Sequence, residues 1–392
     1  MGWRRCGRER RQEFLRRPAR SRYAGCMHHG LLTAIALSSV AASAVGGDAP
    51  KRVLFVRGAE RSGGFLEAGN DAQRTEQLAD ITNGSTASGN HGWLTFATTL
   101  RDAGFVVDQV AEPLETGAPG SGQTAGAPLD FGQLPLNAYD VVVLASNNAA
   151  YPSSIVDVFE SYVRRGGAAL IISDANFGGS WADAPTSDQA FLDRFGWTVQ
   201  QDQGTYVLRR SEGDFVTPGH PILAGVDAID GEGVSPLVVP ETDTVDGVAS
   251  TIVVRAKPGQ QTRNNDRTPG PGTSRAVGQR DAVLAVATVD RGRIAGHFDR
   301  NTFFNANGAG TNINRFDNSA YAVNLFAWLA DGPGLRCRVD YTGDGAVTAA
   351  DVDAYLAMAI AGEPIADLAG AFGHVDAFDV LTFLRAFAQG CP

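Results

Sequence analysis

Cysteine is scarce in this chain: its 392 residues contain four, Cys6, Cys26, Cys337 and Cys391, and none falls between residues 26 and 337. The long middle of the protein therefore has no thiolate nucleophile, no cysteine-ligated metal and no disulfide framework. Long apolar runs are also absent. The best candidate, Leu31 to Val40, is far short of the roughly 20 residues that span a bilayer. Basic charge is missing wherever it would be useful for binding nucleic acid. Nine arginines crowd into residues 1–44 against two acids, and the remaining 24 basic and 41 acidic residues leave a net charge of −17. So acidic a body has no electrostatic case for nucleic acid and suits calcium or a neutral polymer better.

The basic start has a purpose of its own. Arginines up to Arg22 are followed by the apolar stretch 31–40 and then by Ala42-Ser43-Ala44. Basic, apolar and small-residue segments in that order predict a secretory signal over 1–44, with Met27 an alternative start and an Arg-rich tail the competing reading. Export places the protein in the secreted or cell-surface space, an oxidising one. Cys6 and Cys26 would leave with the signal, and Cys337 and Cys391 would pair as a single disulfide. Two thiols without a nearby histidine cluster are too few for zinc.

Those two cysteines bracket an internal repeat. Asp351-Val352 leads to Tyr355-Leu356 and Gly362, and Asp379-Val380 leads to Phe383-Leu384 and Gly390, at a constant offset of 28. Each copy predicts a short amphipathic helix closed by glycine, and neither can bury its apolar face alone. Before the first helix, residues 340–351 place oxygen donors at positions 1, 3, 5, 9 and 12, with glycine at position 6. A hard cation such as Ca²⁺ asks for this pattern. Asp340, Thr342, Asp344 and Asp351 would supply side chains, Ala346 its carbonyl, and Thr348 a direct or water-mediated contact. An Asp-Gly turn before a capped helix would leave the same trace. The second loop, Asp367 to Asp379, is one residue longer and has alanine at positions 3 and 5, so Asp367, Asp376 and Asp379 are expected to bind calcium weakly or not at all. The segment resembles a dockerin of the type ending in Gly-Cys, here Gly390-Cys391-Pro392. That resemblance implies an all-α, EF-hand-like module that docks on a cohesin-like protein, often in assemblies that degrade polysaccharides.

Residues 48–330 alternate strand and helix. Val53–Val56, Phe105–Val107, Tyr139–Leu144 and Ala168–Ile172 read as strands, with helices over Gly92–Ala103 and Ser153–Arg165. Continuous apolar strands separated by helices predict a parallel sheet covered on both faces. Further on, Asp188–Phe195 reads as helix, and Tyr206–Leu208, Thr251–Val254, Val283–Thr288 and Arg293–Phe298 as strands. Ser319–Leu329 closes the domain as a helix. Pro258–Gly278 is a polar loop, and residues 331–336 are a linker to the module at 337–392. The order, together with the turn Pro218-Gly219-His220-Pro221 and the Gly292-Arg293-Ile294 entry to the last strand, resembles the class I glutamine-amidotransferase-like, flavodoxin-like fold. That family's enzymes use a cysteine after a strand and a late His-x-Glu. Here Ser173-Asp174 and His297-Phe298-Asp299 stand at those places, which rules out thiolate glutamine hydrolysis.

Two readings of the α/β domain follow. A non-catalytic domain would be carried by the module to an extracellular assembly. Alternatively, Ser173 or Asp174, activated by His297 with Asp299 orienting it, would make a secreted hydrolase of carbohydrate or ester. Ser173-Asp174 can equally cap the turn after its strand. Ligands of open α/β sheets gather at the carboxyl ends of the strands. There Arg57, Glu60, Asp71, Asn176, Trp181, Arg300 and Asn301 would suit a carbohydrate. His220, before Pro221, is expected to fix a turn, and His91 to lie near a helix start.

Overall fold

The computed structural model describes residues 50–58, 79–86, 91–113, 127–145, 147, 149–173, 183–199, 205–232, 234–240, 244–245, 247–256, 281–305, 311–332, 338–369 and 375–390. The expected signal segment, the loop 258–278, most of the linker and both cysteines of the expected disulfide lie outside the described residues.

Nine main strands carry the α/β domain: β1 (Arg52–Arg57), β2 (Val106–Ala111), β3 (Val141–Leu144), β4 (Ala168–Ile172), β5 (Thr205–Arg209), β6 (Ala228–Glu232), β7 (Val248–Arg255), β8 (Asp281–Val289) and β9 (Gly292–His297). The main sheet runs β2-β1-β3-β4-β9-β8-β7, with the short strand Thr244–Val245 at its edge. The first five of these strands are mutually parallel. Counted along the chain, their order is the 2-1-3-4-5 of a flavodoxin-like sheet.

Both faces of the central strands β1, β3 and β4 are covered, which is why they read as nearly unbroken apolar runs. Val53 and Phe55 of β1 point to one face, while Leu54 and Val56 point to the other, and all four are fully buried. On the first face, helices α1 (Leu94–Asp102) and α4 (Asn318–Ala330) pack together over Phe55, Trp93, Phe96, Phe303 and Phe326. The rings meet at 4.5–6.1 Å between centroids, mostly edge to face. On the second face, α2 (Ser153–Arg164) and α3 (Asp183–Leu192) enclose Phe131, Phe159, Phe191 and Trp197. Extended Pro152 opens α2, and Gly166 at φ +111° follows its end.

The central sheet is mostly parallel, as expected; β8 and β7 extend it beyond β9, antiparallel to β9 and to each other. Only two residues, Asp290 and Arg291, connect β8 to β9, and a connection so short can join only antiparallel neighbours. Asp290 accommodates the turn at φ +49°, a left-handed conformation that Asp tolerates. Strand β6, polar and glycine-bearing, had no apolar pattern by which to be found; it pairs with β5 in a separate two-stranded sheet.

The last residues form a second core. Helices α5 (Ala349–Ala361) and α6 (Ala377–Gln389) pack through Tyr355 and Phe383, stacked at 4.1 Å, around Val339, Tyr341, Ala366 and Leu368. Tyr355 and Phe383 are equivalent positions of the repeat, so each copy covers the other. The module rests on the amino-terminal edge of the parallel strands. Arg338, buried, donates to the carbonyls of Asn137 (3.2 Å) and Gly166 (3.5 Å), lies 3.8 Å from Asp140 and covers the Tyr162 ring. Asn137 in turn donates to the Ile365 carbonyl at 3.4 Å.

Gly292 opens β9 where it passes the end of α2. A Cβ there would overlap the carbonyl oxygens of Val163 and Gly167. Gly292→Ala is expected to lower unfolding stability by about 2–4 kcal/mol, measured in urea, through displacement of backbone rather than loss of contacts.

Candidate functional site

Parallel strands all deliver their carboxyl ends to one edge, and the switch point of a flavodoxin-like sheet lies between β1 and β3. Arg57 ends β1 there, buried, with its guanidinium 3.8 Å from Asp80. Burial acts to raise the Asp80 pKa but is outweighed by hydrogen bonds from Thr82 and Gln109 and by the charge of Arg57, so the carboxyl is held below its usual value. Just beyond β2, Glu112 is buried too. Its Oε1 accepts hydrogen bonds from the Tyr151 hydroxyl (2.8 Å), Asn147 Nδ2 (3.1 Å) and Ala149 N (3.4 Å). Burial, then the Glu112 carboxylate, drive the Tyr151 phenol upward and keep it protonated. Sequence reading missed Glu112, Asn147 and Tyr151, which lie up to 39 residues apart along the chain. The strand pattern would have found Glu112 as the polar residue that ends β2.

At the end of β4, Ser173 continues the ladder by donating its N–H to the His297 carbonyl at 2.8 Å. Its hydroxyl is buried and finds no hydrogen-bond partner among the described residues. At the end of β9, His297 is fully buried. Its Nε2 lies 3.1 Å from Thr302 Oγ1 and its Nδ1 2.9 Å from the Tyr321 hydroxyl. Thr302 spends its only hydroxyl proton on the Asp230 carbonyl, 2.8 Å away, so it can only accept from the ring. His297 therefore carries its proton on Nε2, and Nδ1 accepts from Tyr321. Protonating Nδ1 would set two donors against each other. Burial pushes the imidazole pKa down to about 3, against a smaller opposing pull from the Asp299 backbone.

The expected Ser173–His297–Asp299 relay is thus not what the described residues assemble. Both ring nitrogens serve Thr302 and Tyr321. The Asp299 carboxylate accepts the backbone N–H groups of Glu232 (2.7 Å) and Asn301 (2.9 Å), fixing the chain after β9. Asp174 lies outside the described residues, as do Glu60, Asp71, Asn176 and Trp181. Arg57, Arg300 and Asn301 do reach the strand-end edge, the two arginines as buried side chains and Asn301 half-buried. His220 fixes its turn as expected, with Nδ1 accepting from Ile222 N at 3.3 Å and the ring against Trp328. His91 is buried against Phe304.

The loop 340–351 is a second candidate. Gly345, at position 6, has φ +91°, which the sharp turn requires. Asp340 and Asp351 are buried. Thr342 Oγ1 lies 3.3 Å from Asp340 Oδ1 and 3.0 Å from Asp351 Oδ1, so the oxygens of positions 1, 3 and 12 converge. Backbone N–H groups of Gly343 and Gly345 point at Asp340, and those of Thr342 and Thr348 at Asp351. Burial alone would raise the Asp351 pKa, but these bonds hold it below its usual value. Among the described residues no three acidic, histidine or cysteine side chains gather closely enough to hold a metal by themselves. A cation would also need Thr342 and the Ala346 carbonyl. That mixed oxygen set fits a hard cation. Asp344 accepts from Ala346 N, and Thr348 with Asp351 forms a capping box on α5. In the second loop Asp376 and Asp379 form the same box on α6, and Asp379 also accepts from Leu368 and Ala369 N. Asp367 is buried, and the loop's centre lies outside the described residues.

No helix among the described residues is long and apolar enough to cross a membrane. No family model matches the chain, and no curated protein matches it significantly. Among solved structures the chain is similar to a putative ThuA-like protein from Parabacteroides merdae, with 15% identity over 72% of this chain and 91% of that one and a TM-score of 0.37. It is also similar to a cytoplasmic protein from Salmonella typhimurium, with 16% identity over 71% and 98% of the two chains and a TM-score of 0.36. An exo-β-1,4-mannosidase from an Opitutaceae bacterium aligns at 10% identity over 72% of this chain and 36% of its own, with a TM-score of 0.31. At such identities and scores the likeness extends to no residue role or activity.

The burial of neutral His297 has a consequence for stability. Its folded pKa of about 3 lies below the unfolded value near 6.5, so between those pH values the unfolded chain binds the extra proton. The contribution is complete above about pH 6.5 and declines by about 1.4 kcal/mol per pH unit below it. Urea unfolding of His297→Gln at pH 5 and pH 7 is expected to show a pH slope smaller by one proton than that of the natural chain. An unchanged slope would mean that the ring is accessible and protonated in the folded state.

Proposed function

We propose that this chain is an exported, non-catalytic α/β protein, attached by its C-terminal helical pair to a cohesin-like partner at the cell surface or in the extracellular space. The observation that carries the proposal is where apolar surface is left exposed. Of the seven large hydrophobic side chains exposed among the described residues, Ile360, Phe378, Leu381 and Leu384 belong to α5 and α6. Phe378, Leu381 and Leu384 recur at a spacing of three residues, along one side of α6. A solitary exposed apolar residue needs no explanation, but three along one side of a single helix support a docking surface. The dockerin-like repeat gives that surface its expected partner, and assembly with polysaccharide-degrading proteins its expected setting.

Calcium is the cofactor of this reading. Bound by Asp340, Thr342, Asp344, Ala346, Thr348 and Asp351, it would offset two of the three carboxylate charges and stiffen the entry to α5. The chain's own residues prepare that state, since backbone N–H groups already orient Asp340 and Asp351. The strand-end edge of the α/β domain, with Arg57, Arg300 and Asn301, is assigned a carbohydrate or similar polyol as ligand. Hydrolysis by Ser173, Asp174, His297 and Asp299 has less support, because the His297 ring is engaged by Thr302 and Tyr321.

Calcium should stabilise the module by mass action, by about 2.7 kcal/mol at a free concentration a hundredfold above Kd. Thermal melts of the full chain in calcium and in chelator are expected to differ, and Asp351→Asn should remove the difference. Phe378→Asp combined with Leu381→Asp should keep the calcium shift while abolishing capture on an immobilised panel of cohesin domains. A natural chain that binds none of that panel in calcium would overturn the docking proposal. Hydrolysis of a glycoside or ester, lost in both Ser173→Ala and His297→Ala, would overturn the non-catalytic one.

A further inference from the structure

Arg291 belongs to the turn between β8 and β9, yet its charge is directed at the C-terminal loop. Its Nη1 donates to Asp340 Oδ2 at 3.1 Å, the same oxygen that accepts the N–H of Gly345. Asp340 Oδ1 is taken by Gly343 N and Thr342 Oγ1. The Asp340 side chain is only 3% exposed, so solvent does little to screen its charge, and the guanidinium balances it. Arg291 is not free to drift away. Its own N–H donates to the Arg164 carbonyl, and its neighbour Asp290 is paired with the Arg164 guanidinium at 3.0 Å. Arg338, two residues before Asp340, reaches the other way into the same edge of the α/β domain. Two arginines, one from each side, thus hold the loop against the domain.

We propose that Arg291 is a tethered competitor of calcium. The loop is either docked on the α/β domain through the guanidinium or filled by the cation, and calcium loosens the docked module. The inference rests on the calcium reading of the loop given above. Its physical basis is that Asp340 is the first residue of the donor set. A divalent cation among the loop oxygens and a guanidinium on Asp340 Oδ2 draw on the same carboxylate charge and repel each other across a few ångströms. Such coupling is reciprocal: the factor by which docking weakens calcium binding is the factor by which calcium weakens docking. The loop would then report calcium through the position of the whole module rather than through the order of α5 alone.

The test is a calorimetric titration of calcium chloride into the chelator-treated full chain, natural and Arg291→Gln. Removing the competing charge should tighten calcium binding by about tenfold or more. Equal or weaker affinity in Arg291→Gln would overturn the inference and leave the calcium reading standing. Calcium heat absent from both chains would overturn the calcium reading itself, and this inference with it. Small-angle X-ray scattering of the natural chain supplies a measurement that needs no variant. Its radius of gyration should increase at saturating calcium, and an unchanged radius would exclude release of the module.

Discussion

Burial of the parallel strands on both faces is the constraint on which the rest of the molecule depends. A strand such as β1, with Val53 and Phe55 against one helical layer and Leu54 and Val56 against the other, has no solvent side on which to carry a polar group. Polar chemistry is thereby displaced to the strand ends. The carboxyl edge collects Arg57, Glu112, Ser173, His297 and Asp299. The amino edge collects Asp140, the Gly166 carbonyl and Arg291, and it is there that the module docks.

Displacement to an edge does not make a side chain reactive. The His-x-Asp at the end of β9 has the residues of a catalytic relay, but its environment gives them structural work. A buried imidazole must have both nitrogens satisfied, and Thr302 and Tyr321 satisfy them in the neutral form. A buried carboxylate must find donors, and Asp299 takes the two nearest backbone N–H groups. The same physics governs Asp340 and Asp351 in the C-terminal loop. There, however, the donors leave the carboxylates clustered with Thr342 on one point, an arrangement a cation can complete.

The module illustrates how a repeat divides its labour. Both copies keep the capping box, the apolar ring at the same offset and the terminal glycine, because both helices must be started, packed and stopped. Only the first copy keeps oxygen donors through the loop. Structural positions are thus duplicated, and the oxygen donors of the loop are not.

Much of the fold was legible because periodicity is a local property. The runs at 53–56, 139–144 and 168–172, and the helices around 94–102, 153–164 and 318–330, follow from residues close in sequence. The repeat and its loop spacing were legible for the same reason. The pairing of β7 with β8, that of Glu112 with Tyr151, the Tyr321 partner of His297 and the reach of Arg291 to Asp340 were not. Each joins residues 24 to 49 positions apart, and no short pattern records which distant partner will close a hydrogen bond. By itself the sequence determined which elements form, how acidic the body of the chain is, and that only the first repeat keeps oxygen donors along its loop. Only the tertiary structure decided that both nitrogens of the His297 ring face hydroxyl partners, and that the loop's first carboxylate already has a guanidinium beside it. Protonation and charge balance depend on what surrounds a group in space, and that is settled only when distant segments pack.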